Sequence, residues 1–339
     1  SAASDVYKRQ MQYGTIVHYI LERFFGEYTK EEYLSLEEDK FQKIVCAYLA
    51  EYAVKYFGEE QLESNSLTYR LKTILDNVMY LMKHIMEELS QSEFFVADCE
   101  LKIGEDIPSY TIVLPDGHKI AVCGSVDRVD IMQRADITYL RIIDYKTGTK
   151  QFKLSDILYG INLQMLLYLH SIESSGGDKY GEIVPAGILY MPATVPYISS
   201  DSLKSIDKLP DELNKKLKMN GLLLKDTEII HGMDKTDVAT YIPVKIKAGE
   251  PVSSTSLATL AEFGKIFKKV DMLIAEMGKN IYNGNIEAKP LKGGHDSCEY
   301  CPYDSVCAYR QSNPITCFSV DNKTVIEEIT NEINGKEEE

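Results

Sequence analysis

Apolar residues recur every three or four positions through the first ninety residues, which is the spacing of a helix with one buried face. The pattern predicts one helix from Tyr13, a second over residues 38–56, and a third capped near Asn65 or Ser66. Residues 1–10 show no such period, and we interpret them as a non-native leader. The positions that form the three stripes are Ile16, Val17, Ile20, Leu21, Phe24, Phe25, Phe41, Val45, Leu49, Tyr52, Leu71, Ile74, Val78, Leu81, Ile85 and Leu89.

From Phe94 the pattern changes to the alternation that is typical of strands. A helix is predicted to begin near Leu154 and to bury apolar residues as far as Leu169. Strands followed by helices in this order predict an α/β fold, with a mixed β-sheet flanked by helices. The predicted strands are 94–103, the hairpin 110–114 and 118–123 around Pro115-Asp116-Gly117, a second hairpin over 124–146, and 187–190.

The remainder of the chain is less regular. Residues 198–238 are polar and predict an excursion from the core with a short helical piece around Leu213. A returning strand is predicted at 241–246 and a long helix at 256–282, and the Glu-rich end is expected to be frayed and solvated. The resulting division is a leader 1–10, a domain 11–310 (helical part 11–93, catalytic core 94–197, excursion 198–238, return strand and helix 239–285, cysteine segment 286–310) and an acidic tail 311–339.

Composition limits the classes of protein that fit this pattern. An apolar content of 44% is enough for a real core, and a net charge of −15 argues against a protein that coats nucleic acid through charge alone. No apolar run reaches the length that spans a bilayer, and no signal-peptide pattern opens the chain. We therefore expect a soluble, cytoplasmic protein with no membrane association.

The hairpin over residues 124–146 carries the candidate chemistry. With Arg134 and Ala135 as a two-residue loop, Asp144 pairs opposite Ser125, and Asp127 becomes its diagonal neighbour at roughly 7–8 Å on the same face. Lys146 lies two residues beyond Asp144 and projects from that face, whereas Tyr145 points to the other side. Two carboxylates and a lysine are therefore predicted to converge.

This combination suits the hydrolysis of phosphodiester bonds. Mg²⁺ needs only one or two carboxylates besides water and substrate phosphate, and a neighbouring lysine can orient or deprotonate the attacking water. The alternative is a salt-bridge network of Asp127, Asp144 and Lys146 that only holds two strands together.

The strings GSVDRVD, IIDYKTG and YGINLQMLLYL resemble the PD-(D/E)XK nucleases, in particular the nuclease domain of RecB-type enzymes and the carboxy-terminal part of AddB-type helicase–nuclease subunits. The resemblance covers about residues 11–310 and implies a restriction-endonuclease-like core. It also implies roles for individual residues. The Gly14-x-x-x-His18 helix would supply a metal ligand, Gln164 and Tyr168 would line the active site, and the Tyr145 carbonyl would be a further ligand. Glu100 is a weak candidate, because one acid on a strand is more often a surface residue.

Three cysteines close together indicate a second metal site. Cys298, Cys301 and Cys307 have the spacing C-x2-C-x5-C, which in a chain without a secretion signal favours metal ligation over disulfides. Zinc, with His295 or Cys317 as fourth ligand, and a four-iron cluster both fit the spacing. The resemblance favours a 4Fe–4S cluster whose fourth cysteine lies upstream of the Gly-x-x-x-His helix, outside this chain. The other cysteines, Cys46, Cys99, Cys123 and Cys317, do not stand in that context.

The sequence therefore predicts a Mg²⁺- or Mn²⁺-dependent DNA exonuclease domain. The resemblance implies that its whole protein pairs with an AddA- or RecB-like helicase–nuclease subunit and processes double-strand ends for homologous recombination repair. Two alternatives remain at this point: a non-catalytic, zinc-stapled domain that binds nucleic acid or a partner, and a CRISPR-associated or phage exonuclease of the same superfamily.

Overall fold

A mixed sheet of six strands organises the molecule, and helices flank it. The computed structural model describes residues 2–58, 65–148, 151–195, 209–253, 255–299, 301–303, 306–307 and 314–337. No described helix combines the length and the apolar character that crossing a bilayer requires. The predicted α/β class, with a mixed sheet flanked by helices, is confirmed.

Four helices precede the sheet: α1 Ala2–Glu27, α2 Lys30–Leu34, α3 Glu38–Phe57 and α4 Asn65–Ser90. The predicted second and third helices match α3 and α4 within two residues. The first helix was predicted from Tyr13, but α1 already begins at Ala2, so the interpreted leader is helical up to that point. The stripe Ile16, Val17, Ile20, Leu21 and Phe24 is buried, as predicted.

The sheet has the strand order β1-β4-β5-β6-β7-β10. Its strands are β1 Phe95–Ile103, β4 Gly124–Arg134, β5 Ile137–Lys146, β6 Glu182–Pro192, β7 Asn220–Leu224 and β10 Leu257–Ala258. The strands β5 and β6 are parallel, as are β7 and β10, whereas the other neighbours are antiparallel. The end of β1, the start of β4, the ends of β5 and β6 and the start of β7 therefore share one edge of the sheet.

Smaller elements surround this sheet. A 3₁₀ helix spans Leu154–Tyr159, and two-stranded sheets pair β2 with β3, β8 with β9 and β11 with β12. The strands are β2 Tyr110–Val113, β3 Lys119–Val122, β8 Lys245–Lys247, β9 Glu250–Val252, β11 Leu291–Gly293 and β12 Ile315–Cys317. The helices are α5 Gln164–Ser175, α6 Gly177–Tyr180, α7 Leu209–Leu217, α8 Thr227–Met233, α9 Leu260–Tyr282 and α10 Asn322–Glu337.

The helix predicted from Leu154 is broken in two. Gly160 ends the 3₁₀ helix in a left-handed conformation with φ of +67°, and Asn162 also has a positive φ of +54°. A left-handed residue terminates a helix because it turns the chain away from the helical path. The α-helix then restarts at Gln164.

The predicted excursion was wrong for the residues after 208, since β7 enters the central sheet; residues 198–208 lie outside the described part of the chain. A short apolar run, Gly221 to Leu224, is fully buried there. A Cβ at Gly221 would lie 2.0 Å from the carbonyl oxygen of Ile188, so only glycine permits this close strand pairing. The strand predicted at 241–246 was also wrong: only β8 overlaps it, and β8 pairs with β9 outside the central sheet.

The frayed acidic end was a third incorrect expectation. Helix α10 packs on α9 and buries Val325, Ile329 and Ile333, which follow each other at a spacing of four. Lys269 of α9 forms an ion pair with Glu332 at 2.5 Å. The long helix itself starts later than predicted, at Leu260, because Thr259 caps it in a reciprocal arrangement with Glu262.

Candidate active site

Four elements bring the candidate side chains together at the shared edge of the sheet. His18 comes from α1, Glu100 from β1, Asp127 from β4, and Asp144 and Lys146 from β5. The strands β1, β4 and β5 are adjacent, and α1 contacts both β1 and β5. Residues that lie more than a hundred positions apart in the sequence thus line one small surface.

His18, Glu100 and Asp127 form the centre of this surface. The Nδ1 atom of His18 lies 2.8 Å from Glu100 Oε1, and its Nε2 atom lies 3.7 Å from Asp127 Oδ2. One ligand atom from each of the three lies within 4.8 Å of the other two, and within the described ranges no other group of three His, Cys, Asp or Glu side chains does so. Glu100, only a weak candidate in the sequence, therefore belongs to the cluster, and Ser125 Oγ donates to its Oε2 at 2.9 Å.

The hairpin register differs from the predicted one by two residues but preserves the predicted face. Arg134 pairs with Ile137 and Arg128 with Ile143, so the two loop residues are Ala135 and Asp136. Continuing this register by one pair places Asp127 directly opposite Asp144 instead of diagonal to it. Ala135 has a φ of +49°, which the sequence does not indicate because alanine rarely adopts that conformation.

Asp144 and Lys146 form the second half of the site. Lys146 Nζ lies 2.6 Å from Asp144 Oδ2 and 5.8 Å from the centre of the Tyr190 ring. The Asp144 side chain is 8% exposed, yet its buried Oδ2 has no partner with hydrogen-bond geometry among the described residues. A buried carboxylate oxygen without a hydrogen bond is costly, and a cation is the kind of partner that compensates for it.

The pKa values of the cluster reflect crowded negative charge. Burial, and then the charge of Asp144, raise the pKa of Asp127 to about 6, against the opposing effects of His18 and the Tyr145 N–H. Burial alone would lower the pKa of His18, but the hydrogen bond to Glu100 and the nearby carboxylates outweigh it and raise that pKa. The same hydrogen bond lowers the pKa of Glu100. Acids that repel one another in this way are relieved by a bound cation.

Tyr145 supports the site from behind. Its backbone N–H donates to Asp127 Oδ2 at 2.9 Å, and its buried ring meets the His18 ring edge-on at 5.8 Å. Its hydroxyl accepts from Arg128 Nη1 at 3.3 Å. These contacts fix the positions of Asp127 and His18 relative to Tyr145, whereas the metal-binding role of its carbonyl stays a prediction.

Tyr168 and Gln164 are both on α5, one helical turn apart. The Tyr168 hydroxyl packs against Gly124, where a Cβ would lie only 2.2 Å from it. Tyr168 is therefore held at the first residue of β4, three positions before Asp127. Gln164 is exposed as the first residue of α5, and its role in the active site stays a prediction.

A buried charge network beneath the site was not predicted. Arg128 grips Asp130 with two hydrogen bonds of 2.7 Å, and Arg141 bonds to the same carboxylate at 3.0 Å. Glu88 of α4 accepts from Arg128 at 3.1 Å and from Arg141 at 2.6 Å, and all four side chains are fully buried. The signal was available, because Arg128 and Asp130 alternate with Asp127 and must point to the opposite face of β4.

The cysteine segment shows less organisation. The Cys301 N–H donates to the Cys298 carbonyl at 3.2 Å in a turn; both residues are half-buried, and Cys307 is exposed. In the part of the chain that the structure describes, no cysteine belongs to a group of three metal-ligating side chains within 4.8 Å. The proposed fourth zinc ligands, His295 and Cys317, do not complete such a group either. The described residues thus do not by themselves form the metal site that the spacing indicates.

Comparison with known proteins gives one consistent result. A family model described as the PD-(D/E)XK nuclease superfamily matches residues 3–308. Proteins named as the AddB subunit of an ATP-dependent helicase/deoxyribonuclease are similar to the chain. The one from Thermoanaerobacter sp. (strain X514) is 38% identical over 249 residues, covering 72% of this chain and 21% of the relative.

Two further proteins of that name match over more of this chain. The one from Alkaliphilus oremlandii is 33% identical over 336 residues, covering 94% of this chain and 29% of the relative. The one from Ruminiclostridium cellulolyticum is 33% identical over 320 residues, covering 90% and 27%. The chain therefore spans between a fifth and a third of the length of these curated relatives.

Proposed function

The chain belongs to the PD-(D/E)XK nuclease superfamily, and on that premise we propose that it is a divalent-metal-dependent deoxyribonuclease domain. The observation that carries the proposal is the meeting of His18, Glu100 and Asp127 within 4.8 Å at the sheet edge that also holds Asp144 and Lys146. A salt-bridge network that only joined two strands would require neither the histidine from α1 nor the acid from β1.

The donor set fits Mg²⁺ or Mn²⁺. Three carboxylates offer the hard oxygen ligands that both ions prefer, and one imidazole is compatible with Mn²⁺ in particular. We assign Asp127, Asp144 and His18 as ligands, with Glu100 beside them. The ion, when bound, would supply positive charge that stabilises the phosphodiester in the transition state and promotes ionisation of water.

Lys146 and Asp144 define what the protein itself contributes. The ammonium group of Lys146, held by Asp144 at 2.6 Å, donates hydrogen bonds and lies where it can orient a water molecule or a phosphate oxygen. The Tyr190 ring beneath it limits the positions that the Lys146 side chain can adopt. Glu100 fixes the orientation of the His18 ring by occupying its Nδ1, which leaves Nε2 facing Asp127.

The names of the relatives suggest the larger setting. We propose that the domain degrades one strand of DNA as an exonuclease within a helicase–nuclease complex, together with an AddA- or RecB-like subunit. In that setting it would act on double-strand ends that are processed for homologous recombination. An iron–sulfur cluster on Cys298, Cys301 and Cys307 stays a prediction of the family resemblance, and no step of the proposed reaction depends on it.

The test is degradation of end-labelled linear DNA, single-stranded and duplex, with and without Mg²⁺. The purified chain is compared with Asp144→Asn and Lys146→Gln variants. Loss of either group removes several kcal/mol of transition-state stabilisation, so we expect cleavage to fall by roughly 100-fold or more in both. The matched control is Asp136→Asn, which alters an exposed aspartate in the turn of the same hairpin and should leave cleavage unchanged.

A folded, metal-loaded protein that binds DNA and leaves every end intact would overturn the proposal. The non-catalytic binding domain would then become the better account. Mg²⁺-dependent cleavage that persists in both active-site variants would place the chemistry elsewhere in the chain.

A further inference from the structure

A groove of about 730 Å³ lies between the end of α7 and the strands β8 and β9. Four lysines line it, Lys215, Lys218, Lys245 and Lys247, and none of the described residues that line it is acidic. This is unusual in a chain whose net charge is −15. Positive charge gathered in one concave surface of an acidic protein is the electrostatic footprint of an anionic ligand.

Two of the lysines present their charge to the groove. Lys215 forms an ion pair with Glu212 at 2.7 Å, and Lys218 donates to the carbonyl oxygens of Ala239 and Val244 at 2.6 and 3.0 Å. In contrast, Lys245 and Lys247 alternate on β8 and are both exposed on the same face. Lys218 thus builds the wall of the groove, and the lysines of β8 present their ammonium groups to a ligand.

The acidic residues closest to the groove in the sequence are engaged elsewhere. Asp234 is buried and accepts from the backbone N–H groups of Thr236 and Tyr241. Glu250 accepts from the Thr227 hydroxyl at 2.6 Å. Neither carboxylate lines the groove, so its field is not cancelled from within.

The groove lies at the edge of the sheet that carries the active site. Asp144 pairs with Tyr190 in register, and Tyr190 pairs with Asn220 at the start of β7. Met219, the next residue back, lines the groove. Adjacent strands are about 4.8 Å apart, so the row from Asp144 to Asn220 spans only about 10 Å. A polymer cleaved at Asp144 would therefore reach the groove within a few of its units.

We propose that this groove binds the phosphodiester backbone of the DNA strand that is being cleaved, with Lys245 and Lys247 contacting phosphates a few nucleotides from the scissile bond. The inference rests on the proposed nuclease function. The described lining contains no aromatic ring on which bases could stack, so contact is with the backbone and independent of sequence. An acidic protein segment is the competing occupant, but the location of the groove beside a phosphodiester-cleaving site favours DNA.

The test measures binding of a fluorescent single-stranded oligonucleotide by anisotropy, in EDTA to prevent metal-dependent hydrolysis, across a range of salt concentrations. The variant is Lys245→Gln with Lys247→Gln. Each lost phosphate contact lowers the slope of log affinity against log salt by roughly 0.7 for a single strand, so we expect a decrease of about 1.4. Lys40→Gln with Lys43→Gln, two exposed lysines of α3, removes the same charge outside the groove and should keep the slope. Lys245→Arg with Lys247→Arg should also keep it.

Cleavage with Mg²⁺, measured on the same proteins, separates this inference from the proposed function. We expect the groove variant to show a raised KM with unchanged kcat, since its active site is intact. A protein that cleaves DNA but whose groove variant retains the original salt slope would overturn the inference alone. A protein that does not cleave, while the groove variant still loses slope, would overturn the nuclease proposal and support the DNA-binding groove. If a glutamate-rich peptide loses binding in the groove variant and DNA does not, the occupant is an acidic protein and the inference is wrong.

Discussion

His170 shows how one titratable side chain ties together parts of the fold that are distant in sequence. Its Nε2 atom lies 3.1 Å from the Tyr110 hydroxyl and 3.3 Å from Asp271 Oδ2, so it joins α5 to β2 and α9. The ring stacks on Phe267 at 4.6 Å. Burial alone would lower the pKa of His170, but hydrogen bonds and charge from Asp271 and Glu173 raise it to about 9.

This pKa implies a defined loss of stability at alkaline pH. A histidine whose pKa rises from 6.5 to about 9 on folding contributes stability that is fully present below about pH 6.5 and is lost as the pH rises through 9. We expect His170→Gln to lower the free energy of unfolding by on the order of 2 kcal/mol at pH 6, and by much less above about pH 9.5. Urea unfolding of both proteins at the two pH values measures this difference.

The control for this experiment is His118→Gln. His118 is exposed and contacts Asp116 in a surface turn. Its substitution should change the free energy of unfolding little at either pH. A His170→Gln difference that stayed constant between the two pH values would contradict a protonated, ion-paired His170.

At the scale of secondary-structure elements, the buried network of Glu88, Arg128, Asp130 and Arg141 fixes α4 against β4 and β5. Two guanidinium groups and two carboxylates balance each other there without solvent. Arg128 also reaches the Tyr145 hydroxyl, and the Tyr145 backbone donates to Asp127. The network therefore supports the hairpin from the face opposite to the acids.

Removing one carboxylate from this network should be strongly destabilising. Glu88→Ala leaves two buried guanidinium groups with a single acid, and breaking such a buried pair typically costs about 3–5 kcal/mol. The free energy of unfolding, obtained from urea titration, measures the loss. Glu87→Ala, at the exposed neighbouring position, should change that free energy by less than about 0.5 kcal/mol. A similar small effect of Glu88→Ala would show that the network is not stabilising.

The predicted elements fell into two groups for a physical reason. Long amphipathic helices such as α3 and α4, and the hairpin of β4 and β5, were predicted because periodicity over many residues is a local property. The strand β7 is five residues long and buried, and such a run lacks a period by which to recognise it. The helix α10 was missed because its glutamates were given more weight than the spacing of Val325, Ile329 and Ile333.

At the scale of the whole molecule, the site depends on contacts between residues far apart in sequence. The hairpin acids were predicted from parity alone, and the error of two residues in the register did not change their face. His18 was assigned through family resemblance, because periodicity placed it only at the flank of an apolar stripe. Glu100 was undervalued since its approach to His18, across 82 residues, is a property of the folded chain. The lysine groove depends in the same way on α7 and β8 meeting in space.

The central claim is that these side chains form one divalent-cation site, and direct Mn²⁺ binding tests it best. Isothermal titration of the metal-free protein should give one Mn²⁺ per chain at this site. Asp127→Asn should weaken the affinity at least about tenfold, because a ligand and its charge are lost, whereas Asp136→Asn should leave it unchanged. Equal Mn²⁺ affinity in the wild-type protein and in Asp127→Asn would contradict the account.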